Sequence, residues 1–269
     1  MTQDAGLHAS PPSRASHALT VGDAKLEAAT WGENPSLVLL HEGLGSVSLW
    51  RDFPATLAAR TGLGVFAWSR RGYGNSSPAN LPAPLDYMQR EAALVPRVLD
   101  AAGIGRCILL GHSDGGTIAA LARDPRIAAR ILIAPHFFVE DISVSAIRAI
   151  GEGYATLRPR LARHHRDPDA TFRFWHDAWL DPGFPGALHL DAECRSMPGP
   201  ALVIQGTRDQ YGTIAHARFL AARAPGPIAI AEVDAAHAPH LEAPAETLAA
   251  IEHFLDVHYN ACTTPDDAL

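Results

Sequence analysis

The chain has 269 residues, 47% of them hydrophobic and 19% charged, with a formal net charge of −7. That balance suits a soluble globular protein with one large α/β domain or two small ones. Its dispersed Lys and Arg exclude a basic footprint for nucleic acid, and no run approaches the ~18 apolar residues of a membrane span. Cys107, Cys194 and Cys262 are scattered and odd in number, without CxxC spacing. They argue against a disulfide framework and for a reducing, cytoplasmic setting.

Residues 1–16 carry Pro11-Pro12 and polar residues with a single leucine, and are expected to form a disordered leader rather than a secretory signal. Residues 17–21 and 25–31 straddle Gly22-Asp23, the chemistry of a tight hairpin, so the sheet is predicted to start antiparallel. Residues 37–40 form a continuous apolar run, as in a strand buried on both faces, and lead into His41-Glu42-Gly43. Helical spacing follows over 49–60, a second buried strand over 65–68, and a helix over 86–102 interrupted or kinked at Pro96. This alternation predicts a parallel sheet covered on both sides.

The next apolar run, Ile108-Leu109-Leu110, drives into Gly111-His112-Ser113-Asp114-Gly115-Gly116 and out into Thr117-Ile118-Ala119. It reads as strand, sharp turn, helix. The G-x-S-x-G pentapeptide alone is weak, because random order would produce it about 0.1 times in a chain of this composition. A strand before it and a helix after it supply the context the motif requires, and Ser113 becomes the candidate nucleophile.

A strand over 131–134 and the next one over 201–204 are separated by some sixty residues of different character, with helical stretches over 145–163 and 168–180. Such an insertion is too long for an ordinary connection and reads as a lid over the strand ends. Its histidines match no common metal-ligand spacing, so no metal is expected. A helix over 213–223, a strand over 228–233 and a helix over 245–257 complete the rhythm. The 263–269 stretch reads as unstructured.

A serine hydroxyl needs a base within hydrogen-bond reach and a carboxylate to orient that base. Asp209 follows the strand at 201–205, and His237 follows the strand at 228–233. With those strands parallel to the elbow strand, all three side chains emerge at one sheet edge, where ligands bind in such folds.

Together these motifs resemble the α/β-hydrolase superfamily over residues 17–257. Gly111-His112-Ser113-Asp114-Gly115-Gly116 resembles the family's elbow, and Arg71-Gly72-Tyr73-Gly74-Asn75-Ser76 its loop after the fourth strand. Gly206-x-x-Asp209 resembles the acid loop, and His237-Ala238-Pro239-His240-Leu241-Glu242 the terminal histidine loop. The resemblance implies an α/β-hydrolase fold: a mostly parallel eight-stranded sheet with helices on both faces, its core at 17–135 and 200–259. A helical lid is implied at 136–199 and a flexible tail at 260–269. It implies a Ser113, Asp209, His237 triad, an oxyanion hole from the N–H groups of Gly43 and Asp114, a structural His240, and no cofactor.

The chain departs from the pattern at His41-Glu42-Gly43, where relatives read His-Gly-x. The Glu42 carboxylate is expected to turn towards an arginine or a backbone donor; the other reading is that it shapes substrate choice. The Asp114 side chain raises the same question, since some amino-ester hydrolases of the family carry Asp there. Glu42, His136, Phe137, Trp175 and Trp179 are candidate substrate contacts. Arg71 reads as a turn-fixing ion pair. The expected partner is a small-molecule substrate: a carboxylic ester, lactone or thioester. A C–C hydrolase of diketone-type substrates and a ligand-binding receptor on the same fold are the alternatives.

Overall fold

The computed structural model describes residues 11–259. Its centre is an eight-stranded sheet built from β1 (Arg14–Val21), β2 (Ala24–Trp31), β3 (Pro35–Leu40), β4 (Gly64–Trp68), β5 (Cys107–His112), β6 (Ile127–Ile133), β7 (Ala201–Gly206) and β8 (Ile228–Val233). The spatial order is β1-β2-β4-β3-β5-β6-β7-β8. β1 with β2 and β2 with β4 pair antiparallel, and every later pair is parallel. β1 starts earlier than the sequence suggests: Arg14, Ala15 and Ser16 pair with Trp31, Thr30 and Ala29 instead of belonging to a leader. Residues 11–13 of the expected leader carry no helix or strand, and its residues 1–10 and the expected tail at 260–269 lie outside the described residues.

Side-chain alternation along the buried strands supplies two cores. Leu37 and Leu39 of β3, with Ile108 and Leu110 of β5, face Trp50, Leu57 and Phe254. Val38, Leu40 and Leu109 face Met88, Val95 and Ile118. The covering helices are α1 (Phe53–Thr61), α2 (Tyr87–Ala101), α3 (Asp114–Leu121) and, after the insertion, α9 (Ala215–Ala221), α10 (Pro239–Glu242) and α11 (Pro244–His258). The insertion itself holds α4 (Asp141–Glu152), α5 (Tyr154–Leu161), α6 (Pro168–Leu180), α7 (Phe184–Ala187) and α8 (Asp191–Arg195). No helix among the described residues is long and apolar enough to cross a membrane.

Three elements depart from their expected bounds for identifiable reasons. The helix expected over 49–60 is a 3-10 turn at Val47–Trp50 followed by α1, with Arg51 between them at φ +53°. Pro54 lacks an N–H and is tolerated only in a first turn, so the α-helix begins at Phe53. β6 starts four residues early because its charged residue is satisfied in place. The buried Arg130 guanidinium donates to the carbonyls of Ala119, Pro198 and Ala122 at 2.9, 2.6 and 2.8 Å. The helix expected over 145–163 splits at Gly153 into α4 and α5.

The insertion is tied to the loops beneath it by polar contacts. Glu140, just before α4, accepts from the Thr213 N–H and hydroxyl, both at 2.8 Å, and faces His216 Nε2 at 3.0 Å. Ser143 donates to the Tyr211 carbonyl. On the other side His165 accepts from the Gly74 N–H at 2.9 Å and donates to the Leu44 carbonyl at 3.0 Å.

The His216 contact and the Thr213 donors hold the Glu140 carboxyl at about 2, below the ordinary 4.5. A carboxylate depressed in the folded state adds stability above its unfolded value, and that contribution is lost as pH falls through the folded value. Glu140→Gln should therefore flatten the loss of stability between pH 4.5 and about 2 relative to wild type, read by urea melts across that range. A parallel loss in both proteins would remove Glu140 from the acid response.

Candidate active site

The elbow places Ser113 between β5 and α3 at φ +53°, ψ −120°. A side chain in that region is strained, and the surroundings must hold it there. They do so by close backbone approach. A Cβ on Gly111 would land on the Gly115 carbonyl, and one on Gly115 would land on the Leu40 carbonyl. The Ser113 N–H donates to the Ile133 carbonyl at 2.8 Å, so the turn is also anchored to β6.

Asp209 follows β7 and His237 follows β8. His237 Nδ1 donates to Asp209, 2.8 Å from Oδ2 and 2.9 Å from Oδ1. Asp209 also accepts from Gln205 Nε2 at 2.8 Å and from the N–H groups of Tyr211 and Gly212 at 2.8 and 3.3 Å. Burial pushes the Asp209 carboxyl up, but the His237, Tyr211 and Gln205 donors outweigh it and hold it below the ordinary carboxylate range. The Tyr211 ring packs on the His237 imidazole at 4.6 Å. His240 does not join this pair: it is buried between Trp50, Phe53 and His112, at 4.7 to 5.1 Å between ring centres.

Ser113 and His237 open onto one cavity of about 120 Å³. Its floor and sides include Glu42, Gly43, Leu44, His136 and Tyr211. The insertion roofs it with Ser143, Ile147 and Ile150 of α4 and with Trp175 and Trp179 of α6. Trp175 lies so close to Gly43 that a Cβ there would strike the indole. Phe137 departs from expectation and does not line the cavity. His136 takes the cavity side of the chain, and Phe137 points into the core, stacked on Phe219 at 6.4 Å. Among the described residues no three His, Cys, Asp or Glu side chains converge to hold a metal ion.

Glu42 lines the cavity; among the described residues no arginine pairs with its carboxylate, and the backbone N–H of Glu42 itself is one of its donors. Its Oε2 lies 3.6 Å from His112 Nδ1, while His112 Nε2 donates to the His237 carbonyl at 2.7 Å. Burial pushes the Glu42 carboxyl up, but His112 and His41 outweigh it and hold it below the carboxylate range. The Asp114 side chain turns the other way. It is fully buried, and accepts from the Tyr87 hydroxyl at 2.5 Å, which in turn accepts from Trp179 Nε1 at 3.1 Å. Burial raises its pKa, with Arg70 and Tyr87 only partly opposing, so a negative charge beside the start of α3 is disfavoured.

Arg70 is the residue that sequence reasoning missed. Its guanidinium donates to the carbonyls of His41 at 2.5 Å and Glu42 at 3.1 Å, and stacks over the Tyr73 ring at 4.7 Å. His41 completes the brace: Nε2 accepts from the Arg70 N–H at 3.0 Å and Nδ1 donates to the Glu42 carbonyl at 2.8 Å. Burial, then the Arg70 charge, hold the His41 pKa well below its usual range, consistent with that neutral form. The one available signal was an arginine placed two residues after a buried parallel strand, at the edge where sites form. Arg71, its neighbour, makes the surface pair with Asp23 that the sequence suggested.

A family model described as the alpha/beta hydrolase family matches residues 37–251. The human serine hydrolase BPHL is 29% identical over 171 residues, covering 58% of this chain; the match spans only 57% of that relative's length. A pimeloyl-[acyl-carrier protein] methyl ester esterase from Aeromonas hydrophila is 26% identical over 84% of this chain and 97% of its own. Among solved structures, a serine hydrolase from Cycloclasticus zankles superposes with a TM-score of 0.75 over 92% of this chain and 100% of its own. At 16% identity that similarity speaks to the fold alone.

Removing the Arg70 brace takes the guanidinium from the buried His41 carbonyl, at roughly 1–3 kcal/mol, while the Glu42 carbonyl keeps His41 Nδ1 and the Gly45 N–H. Arg70→Met should lower unfolding stability by about 2 kcal/mol in urea melts with an unchanged m-value. A loss under about 0.5 kcal/mol would mean the loop at His41-Glu42-Gly43 is held by other contacts.

Proposed function

Because the chain belongs to the alpha/beta hydrolase family, we propose that it is a serine hydrolase cleaving a small carboxylic ester, lactone or thioester through an acyl-enzyme. The observation that carries this reading is the His237–Asp209 pair opening, with the strained Ser113, onto one small cavity.

In this reading Ser113 Oγ attacks the substrate carbonyl and His237 Nε2 takes its proton. Asp209 holds Nδ1 protonated, so Nε2 is the free base, and it favours the imidazolium that forms. The tetrahedral oxyanion is met by the N–H groups of Gly43 and Asp114, donors fixed before the reaction and therefore effective in a water-poor site. His237 then protonates the leaving group, and water attacks the acyl-enzyme by the reverse path. The withdrawn, charge-disfavouring Asp114 side chain leaves its own N–H free of a competing anion. Glu42 stays on the cavity wall, its Oε2 3.6 Å from His112 Nδ1. Arg70 acts through the loop, aiming the Gly43 N–H by holding the two preceding carbonyls.

Cavity size bounds the substrate. An engineered apolar cavity of about 150 Å³ holds benzene, so 120 Å³ takes a short acyl group rather than a long chain. The methyl ester esterase among the relatives is compatible with ester chemistry at such a site.

Turnover of p-nitrophenyl acetate, butyrate and octanoate tests the reading. Acetate and butyrate should be preferred over octanoate. Ser113→Ala should lose roughly five to six orders of magnitude in kcat, and Asp209→Asn about four. Mass spectrometry should find an acyl adduct on Ser113 of the wild type. Undiminished hydrolysis by Ser113→Ala would overturn the nucleophile assignment.

A further inference from the structure

His136 is the second imidazole in the cavity wall, and the chemistry above gives it no task. Its position is well determined: the His136 N–H donates to Thr117 Oγ1 at 3.0 Å, and Thr117 Oγ1 donates back to the His136 carbonyl at 2.8 Å. Thr117 lies one helical turn after Ser113, so His136 is locked to the elbow helix. Its ring stands edge-on to Trp179 at 5.1 Å and to His216 at 5.0 Å, with 2% of the residue exposed.

Three nearby buried histidines spend their ring nitrogens inside the protein, whereas His112 Nδ1 and His240 Nδ1 have no hydrogen-bond partner among the described residues but do not line the cavity. His41, His165 and His216 each accept one backbone N–H and point the other nitrogen at an oxygen. His136 does not. Among the described residues no hydrogen bond reaches either of its ring nitrogens, and Nδ1 is fully buried without a partner. Burial, with the facing His216, His237 and His112 rings adding to it, holds its pKa well below the usual range. A neutral imidazole always presents one N–H donor and one lone pair, and leaving them unmet in an enclosed site is unfavourable. Leu44, Ile147, Ile150, Trp175 and Trp179 supply the apolar part of the wall; of its other polar side chains outside the Ser113–His237 pair, Ser143 donates to the Tyr211 carbonyl and Glu42 faces His112.

We propose that His136 recognises a hydrogen-bonding oxygen, a hydroxyl or carbonyl, on the short acyl group held in the cavity, making the preferred substrate a small hydroxy- or oxo-acyl ester. The proposal rests on the hydrolase reading above and narrows it. Nδ1 is buried on the Gly212 side, so Nε2 is the nitrogen a ligand can reach: a wholly apolar acyl chain would leave it unpaired, whereas an oxygenated chain of the same size pairs with it. That asymmetry is how polar sites discriminate between near-isosteres.

The test compares kcat/KM for p-nitrophenyl butyrate with its 2-hydroxy- and 3-hydroxybutyrate and 4-oxopentanoate counterparts. Wild type should favour at least one oxygenated ester by roughly tenfold, the worth of one neutral hydrogen bond. That ratio should fall towards one in His136→Phe and be partly retained in His136→Gln, which keeps a donor and an acceptor. A second measurement is independent of turnover: NMR titration of Ser113→Ala with the free acids, where the oxygenated acid should bind more tightly than butyrate and lose that advantage when His136→Phe is added. A wild-type ratio of one across the panel, or a ratio unchanged in His136→Phe, overturns the proposal. Absence of any ester turnover and any Ser113 adduct defeats the hydrolase reading instead, and the titration then decides the role of His136 by itself.

Discussion

The strained backbone at Ser113 depends on three chain segments meeting without side chains between them. The residue holds φ +53° only while Gly111 sits under the Gly115 carbonyl and Gly115 sits against the Leu40 carbonyl. Those contacts join the elbow to the end of β3, the strand that runs into His41-Glu42-Gly43. The position of the serine and the position of the Gly43 loop are therefore one geometric fact. Strain of one to three kcal/mol at such a residue persists only where packing over-determines it, and here it is over-determined by backbone on both sides.

The same loop is braced from β4. Arg70 is buried, yet each donor seen in its guanidinium contacts reaches a carbonyl rather than a carboxylate. Satisfying a charged group with backbone carbonyls brings no further carboxylate to the place where a tetrahedral oxyanion would form. The disposition of the two acidic side chains agrees with this. Asp114 is withdrawn under Tyr87, and Glu42 is set against His112. Arg70 and Asp114 thus add no exposed negative charge beside the Gly43 and Asp114 N–H groups, an arrangement that suits oxyanion chemistry, and Glu42 is the carboxylate that remains on the cavity wall.

The sheet and the spacing of Ser113, Asp209 and His237 were legible because each depends on local pattern: apolar runs four to six residues long, glycines at turn positions, and polar residues just beyond strand ends. The bounds that moved did so where a local pattern hid its resolution. Pro54 shortened a helix, and Arg130 looked like a strand breaker until three carbonyls around it were known. The braces were illegible for a different reason. Arg70 meets His41 across 29 positions, Glu140 meets Thr213 across 73, and His165 meets Leu44 across 121. Nothing in the neighbourhood of either residue in such a pair announces the other. Phe137 failed for a simpler reason, since adjacent residues of an extended segment face opposite ways and only one of His136 and Phe137 could reach the cavity.

The way the insertion is attached determines what sort of pocket it makes. Its first helix is fixed to the loop that carries Asp209 through Glu140 and Ser143, and its middle is fixed to the Leu44 and Gly74 loops through His165. Trp175 closes directly on Gly43, and Trp179 reaches through Tyr87 to Asp114. Each indole of the roof is thus linked, Trp175 directly and Trp179 through Tyr87, to a residue whose N–H is proposed to meet the oxyanion. A roof joined in this way cannot be reshaped for a larger acyl group without disturbing the loops beneath it. Preorganisation of the donors and restriction of the cavity to about 120 Å³ are consequences of the same contacts.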